Sequence, residues 1–169
     1  MITKADIEKY FIAEKQESLL FIGIGIAAIL IALVGIFLWK TQVWKGAAIP
    51  LLAIAFIQIT VGYTIYKRSD KDRVRVVYAL DMNPNDLKTK ELPRMEKVNK
   101  NFVLYKYVEI AFTVIGIILI ALYKNNAEKQ FWLGLGIALL VQAIIMLGAD
   151  FFAEKRATVY TNQLKKTVQ

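Results

Sequence analysis

The residues of this chain that could do chemistry are few, and they are acids and amides rather than nucleophiles. Glu109 opens a stretch that is otherwise apolar, with Thr113 one helical turn beyond it, and Gln58 and Gln142 lie inside two other apolar stretches. Counted from the outer ends of their helices, both glutamines fall about 18 Å deep, Thr113 about 15 Å and Glu109 about 21 Å. A carboxyl at that depth is by default a candidate for binding or passing a proton or cation. Two amides at matched depth can instead clasp their helices with a hydrogen bond worth roughly 1 kcal/mol. A second group is basic: Lys67, Arg68, Arg73 and Arg75 could hold anionic lipid headgroups or an acidic partner. Catalysis by Glu17, Glu109 and Asp150 as bases would require these three to converge, and no nucleophile accompanies them.

What is missing narrows the chemistry further. The chain has no cysteine and no histidine, which removes disulfides, thiolate zinc, Fe–S clusters, bis-histidine haem and the commonest general base. No Walker loop, dinucleotide glycine fingerprint, G-x-S-x-G or H-E-x-x-H is present. Gly23-Ile-Gly25 and Gly134-Leu-Gly136 sit inside apolar runs and read as packing rather than phosphate cradles. No catalytic residue, cofactor or metal ligand is assigned. The expectation is a protein that is not an enzyme.

The elements that must position these residues are transmembrane helices. A hydrophobic fraction of 57% and a mean hydropathy of +0.44 over 169 residues place the chain in the membrane class as a single unit. Spans are expected at about 18–39, 46–66, 107–123 and 130–150 against a hydrocarbon core of roughly 30 Å, the third only by drawing Tyr107, Val108 and Glu109 into an apolar run, Ile110 to Tyr123, too short to span alone. Trp39 and Trp44 flank the first turn, Lys40 to Lys45, as an aromatic belt would. The second turn runs from Lys124 to Lys129. Small residues four apart, Gly23 with Ala27 and Ala28 with Ala32, offer two registers for close helix packing.

The connector 67–106 and the tails 1–17 and 151–169 continue the helical pattern. Thr3 with Asp6 reads as a capping box, followed by the stripe Ile7, Tyr10 and Phe11. The charged N-terminal region, with no A-x-A site, does not read as a secretory signal. Past Lys67 the stripe Val74, Val77, Tyr78 and Met82 continues, and Pro84 starts a new helix bearing Leu92, Met95, Phe102 and Tyr105. Pro93 is expected to bend or interrupt that helix, and Pro50 to fall near a helix start. Val159, Tyr160 and Leu164 extend the last helix. The four helices are expected at roughly 3–39, 47–82, 84–123 and 129–166.

Eighteen of the Lys and Arg residues fall in the tails and connector and four in the two turns, which puts both termini on the cytoplasmic side. The expected fold is an all-α membrane protein of four transmembrane helices in two hairpins, extended into a cytoplasmic four-helix bundle. The expected place is a bacterial inner membrane. The net charge of +8 then fits attraction to anionic inner-leaflet lipids rather than nucleic acid. The two hairpins superpose without gaps at a shift of 84, pairing Lys40 with Lys124 and Gln58 with Gln142. Similarly oriented repeats of this kind occur in transporters.

The functional expectation is a small membrane protein acting by protein interaction, as an accessory or regulatory subunit or as immunity against a membrane-acting toxin. It would have a protein partner or form a homo-oligomer. The alternative is a homo-oligomeric channel or small transporter using a polar layer of Glu109, Gln58 and Gln142.

Overall fold

Four long helices carry the chain: α1 (Lys4–Trp39), α2 (Gln42–Met82), α3 (Pro84–Tyr123) and α4 (Ala127–Val168). The structure, a computed structural model, describes residues Met1 to Val168; Gln169, the last residue of the C-terminal tail, lies outside the described residues. Each helix is long and apolar enough to cross a membrane. Among the described residues there is no strand.

Local chemistry sets the boundaries. The Thr3 hydroxyl accepts the Asp6 N–H at 3.2 Å while the Asp6 carboxylate accepts the Thr3 N–H at 2.9 Å, so the capping box forms. The first turn is shorter than expected. Only Lys40, in the left-handed region at φ 53°, and Thr41, whose side chain caps the Trp44 N–H, separate α1 from α2. Because α2 starts at Gln42, Pro50 lies inside the helix rather than near its start. Pro93 does not interrupt α3. A π-helical turn, Leu87–Glu91, immediately precedes it. A proline offers no N–H to the carbonyl four residues back and crowds it, and the wider turn relieves that conflict.

The apolar half is packed through small residues, the composition by which helices associate where surrounding lipid would give them no hydrophobic reason to do so. Its core is Ala28, Ala32, Ala47, Ala48, Leu51, Ala55 and Ala138, whereas Leu30, Phe37, Leu38, Phe56 and Ile144 point outward. Of the two small-residue registers on α1, Ala28 and Ala32 are buried; a Cβ on Gly23 would meet nothing within 4 Å. The closest approach is between α2 and α4. A Cβ on Gly46 would stand 1.9 Å from the Phe131 carbonyl oxygen, and one on Gly134 would stand 1.8 Å from that of Val43. Only glycine permits that backbone contact.

The polar half is built from large side chains of all four helices: Ile7, Tyr10 and Phe11 of α1, Val76 of α2, Leu87 and Met95 of α3, Tyr160 and Leu164 of α4. The stripe expected on α2 divides. Val76 and Ala79 are buried and Val77 packs beside them, while Val74, Tyr78 and Met82 face outward. Tyr105 and Val159 are likewise exposed. Burial follows the 84-residue shift in several places: Phe11 with Met95, Ala32 with Gly116, Gln58 with Gln142, Ser69 with Ala153, and Val76 with Tyr160 are all buried.

Gly46→Ala and Gly134→Ala should each force α2 and α4 apart, costing roughly 1–3 kcal/mol. Gly23→Ala should be neutral or gain up to about 1 kcal/mol, since alanine is the better helix former. Thermal unfolding of the three variants in one detergent would check the contrast.

Candidate functional site

Two polar sites are built into the bundle, one in each half. In the apolar half Gln58 and Gln142, 1% and 2% exposed, face one another across α2 and α4. Gln58 Nε2 donates to Gln142 Oε1 at 3.5 Å and to the Met146 sulfur at 2.9 Å. Thioether sulfur is a weak acceptor, and Gln58 Oε1 is buried with no donor. The amides thus meet as a clasp, though a loose one. The Thr113 hydroxyl donates to the Glu109 carbonyl at 2.8 Å, a bond within its own helix.

Glu109 is 5% exposed, and neither of its carboxyl oxygens has a hydrogen-bond donor among the described residues. An ion pair with Lys106, one turn earlier on the same helix, is not made, because Lys106 Nζ reaches across to Glu154 at 2.5 Å. α3 and α4 run antiparallel here. Lys106 stands opposite Glu154, and Gly116 packs on Leu140 further along. That register sets Glu109 opposite Asp150, and the two carboxyls come within hydrogen-bonding reach of one another. Asp150 makes no ion pair among the described residues, and Arg156, further along α4, pairs with Glu17 of α1. Of the three acids weighed as bases, Glu109 and Asp150 meet while Glu17 is held by an arginine.

The basic group on α2 is divided by the structure. Arg68 faces Glu14 at 3.6 Å, and Arg75 bonds Asp72 at 3.1 Å and Glu91 at 3.0 Å. Arg73 stays near Asp70 at 3.7 Å, and Lys67 is exposed. Two of the four cations thus serve the interior and two the surface.

The interior they serve is the second site, and its acids went unremarked in the sequence. Glu91, 1% exposed, takes two bonds from Arg94, at 2.6 and 3.0 Å, one from Arg75 at 3.0 Å, and one from the Tyr160 hydroxyl at 3.3 Å. The Tyr160 ring stacks on Tyr10 with centroids 4.2 Å apart. The Tyr10 hydroxyl donates to Glu14 at 3.4 Å, and the other Glu14 oxygen accepts from Ser69 at 2.9 Å. The network touches all four helices. Burial, reinforced by the neighbouring acids, pushes both phenols up, so they remain protonated donors. Burial alone would lower Arg94, but its bonds to Glu91 more than offset that and keep it charged.

A glutamate and arginine three apart in a charged connector look like an ordinary solvated helix pair, which is why sequence reasoning passed them over. One signal was available. The 84-residue shift sets Glu91 on Ile7 and Arg94 on Tyr10, two members of the N-terminal apolar stripe. That correspondence assigns both polar residues to a core-facing side.

Comparison with protein-family models finds no match, and neither does comparison with curated proteins or with solved structures.

Removing one member of a buried ion pair leaves the other charge desolvated and unpaired, at a cost of roughly 3–5 kcal/mol. Glu91→Ala should show that loss as a lower unfolding midpoint, with Arg94 deprived of its carboxylate and Arg75 left with Asp72 alone. Lys90→Ala, which removes only an exposed pair to Asp86, should change stability by no more than about 0.5 kcal/mol.

Proposed function

We propose that this chain is a multi-pass protein of a bacterial inner membrane that acts by protein interaction, as an accessory or regulatory subunit or as an immunity protein. In this reading the helices form two similarly oriented hairpins, α1–α2 and α3–α4, whose polar halves make a four-helix bundle in the cytoplasm with both termini there. The distribution of Lys and Arg supports that orientation. The Gln58–Gln142 contact, between positions 84 apart, supports the paired hairpins, since a pseudo-two-fold axis between α2 and α4 would map each glutamine onto the other.

One observation carries the interaction reading. Val74, Tyr78 and Met82, one turn apart on α2, are 64%, 63% and 69% exposed, and they lie beyond the uncharged span that ends at Tyr66. Lipid does not reach this far along the helix in the proposed orientation. Large apolar side chains rimmed by exposed charge, here Lys67, Lys71 and Asp81, are the composition of a protein contact. Partner recognition would then be read along this strip. The second reading, a homo-oligomeric channel or small transporter around Glu109, Gln58 and Gln142, is favoured by the unpartnered Glu109 carboxyl.

A photo-cross-linking residue placed at Tyr78 should trap one defined protein in native membranes, and Val74→Glu should reduce that adduct at least tenfold without altering the unfolding midpoint. The same probe at Lys100, exposed on α3, should give no such product. Adducts only with a second copy of the chain would shift weight to the channel reading. No adduct at Tyr78 would remove the strip from any account of function.

A further inference from the structure

Glu109 and Asp150 make an arrangement that neither the clasp nor the polar network explains. Glu109 is 95% enclosed if its 5% exposure is turned round, both its oxygens lack a donor, and the group it faces is another acid. Two carboxylates in contact repel, and the repulsion grows as water is excluded. A polar group buried in this way is costly unless something bridges it.

The cations that could answer this charge are engaged elsewhere. From α3, Lys106 reaches Glu154 at 2.5 Å. From α4, Arg156 pairs with Glu17, the acid that α1 presents toward Asp150. From α2, Arg68 turns to Glu14 at 3.6 Å. Glu154 adds a further negative charge near Asp150. The site is thus surrounded by charges already matched, with two acids left over at its centre.

We propose that Glu109 and Asp150 form a proton-binding site, the two carboxyls sharing one proton between α3 and α4 at the junction of the apolar and polar halves. A single proton converts two acceptors into a donor and an acceptor, so one O–H···O bond satisfies the pair and leaves it with one negative charge. Carboxyl dyads that hold one proton this way are a known answer to like charges at short range. The half-buried Asp150 gives the proton its route from solvent, and Glu109 its enclosed end. When the proton leaves, the two anions push α3 from α4 at this level. The bond is therefore a latch on α3, the helix least covered in its apolar stretch.

Infrared spectroscopy of the full chain in lipid discs reads this directly. The wild-type protein should show one protonated-carboxyl stretching band at neutral pH, shifting in heavy water and disappearing as pH is raised. Glu109→Gln should abolish that band, while Glu128→Gln, in the exposed second turn, should leave it intact. The wild-type titration stands even if Glu109→Gln fails to fold. Absence of the band in the wild type at neutral pH would overturn the proposal. So would a band unchanged in Glu109→Gln, or a wild-type band displaced by adding sodium or lithium chloride at fixed pH, which would make the occupant a metal cation.

Discussion

The contact on which the rest of the bundle depends is the bare-backbone approach of α2 and α4 at Gly46 and Gly134. The two helices run parallel here, with Gly46 against Phe131 and Gly134 against Val43, and Gln58 meeting Gln142 further along. α1 then packs on α2 through Gly25 and Ala28, and α3 on α4 through Gly116 and Gly136. If the apolar half lies in hydrocarbon, as proposed, this order has a physical reason. Association rests on dispersion contact and interhelical hydrogen bonds, and both strengthen as backbones draw closer. The central pair comes closest and the outer helices attach to it.

The polar half obeys different physics. In the proposed orientation the apolar side chains there have water to escape, which fits a core that is large and aromatic and is not a row of alanines. Glu91 and Arg94 sit within that core, and Arg75 reaches Glu91 from the surface. A buried ion pair of this kind adds little net stability compared with apolar packing, but it strongly disfavours any arrangement that leaves a member unpaired. Because Glu91 is bonded from α2, α3 and α4 at once, it fixes their register. The helices are continuous through both halves, so a displacement of α3 at the Glu109–Asp150 contact is also a displacement of the helix that carries Glu91 and Arg94.

Much of the architecture was legible, because spans are declared by length and by lack of charge, and caps by single residues such as Thr3. Helix ends were legible to within a few residues except at α2, where Thr41 caps a helix that begins before its apolar stretch and so encloses Pro50. Facing was harder. Val74, Val76, Val77 and Tyr78 are all apolar, and only the packing shows that Val76 lies inward while Val74 and Tyr78 lie outward. Partners across helices were least legible. Lys106 is one turn from Glu109 in sequence, yet the register of α3 on α4 gives it Glu154. Gln58 and Gln142 were legible as a pair only because the 84-residue shift and their common depth agree.

The most direct measurement of the central claim uses the absence of native cysteine. Gln58→Cys and Gln142→Cys, introduced together and oxidised in native membranes, would report whether α2 and α4 meet as parallel neighbours in the middle of the apolar half. The account predicts an internal cross-link, formed rapidly within one chain, and none when Gln142→Cys is replaced by Ile144→Cys on the outward face. Cross-links only between chains, or equal reaction at both positions of α4, would contradict it.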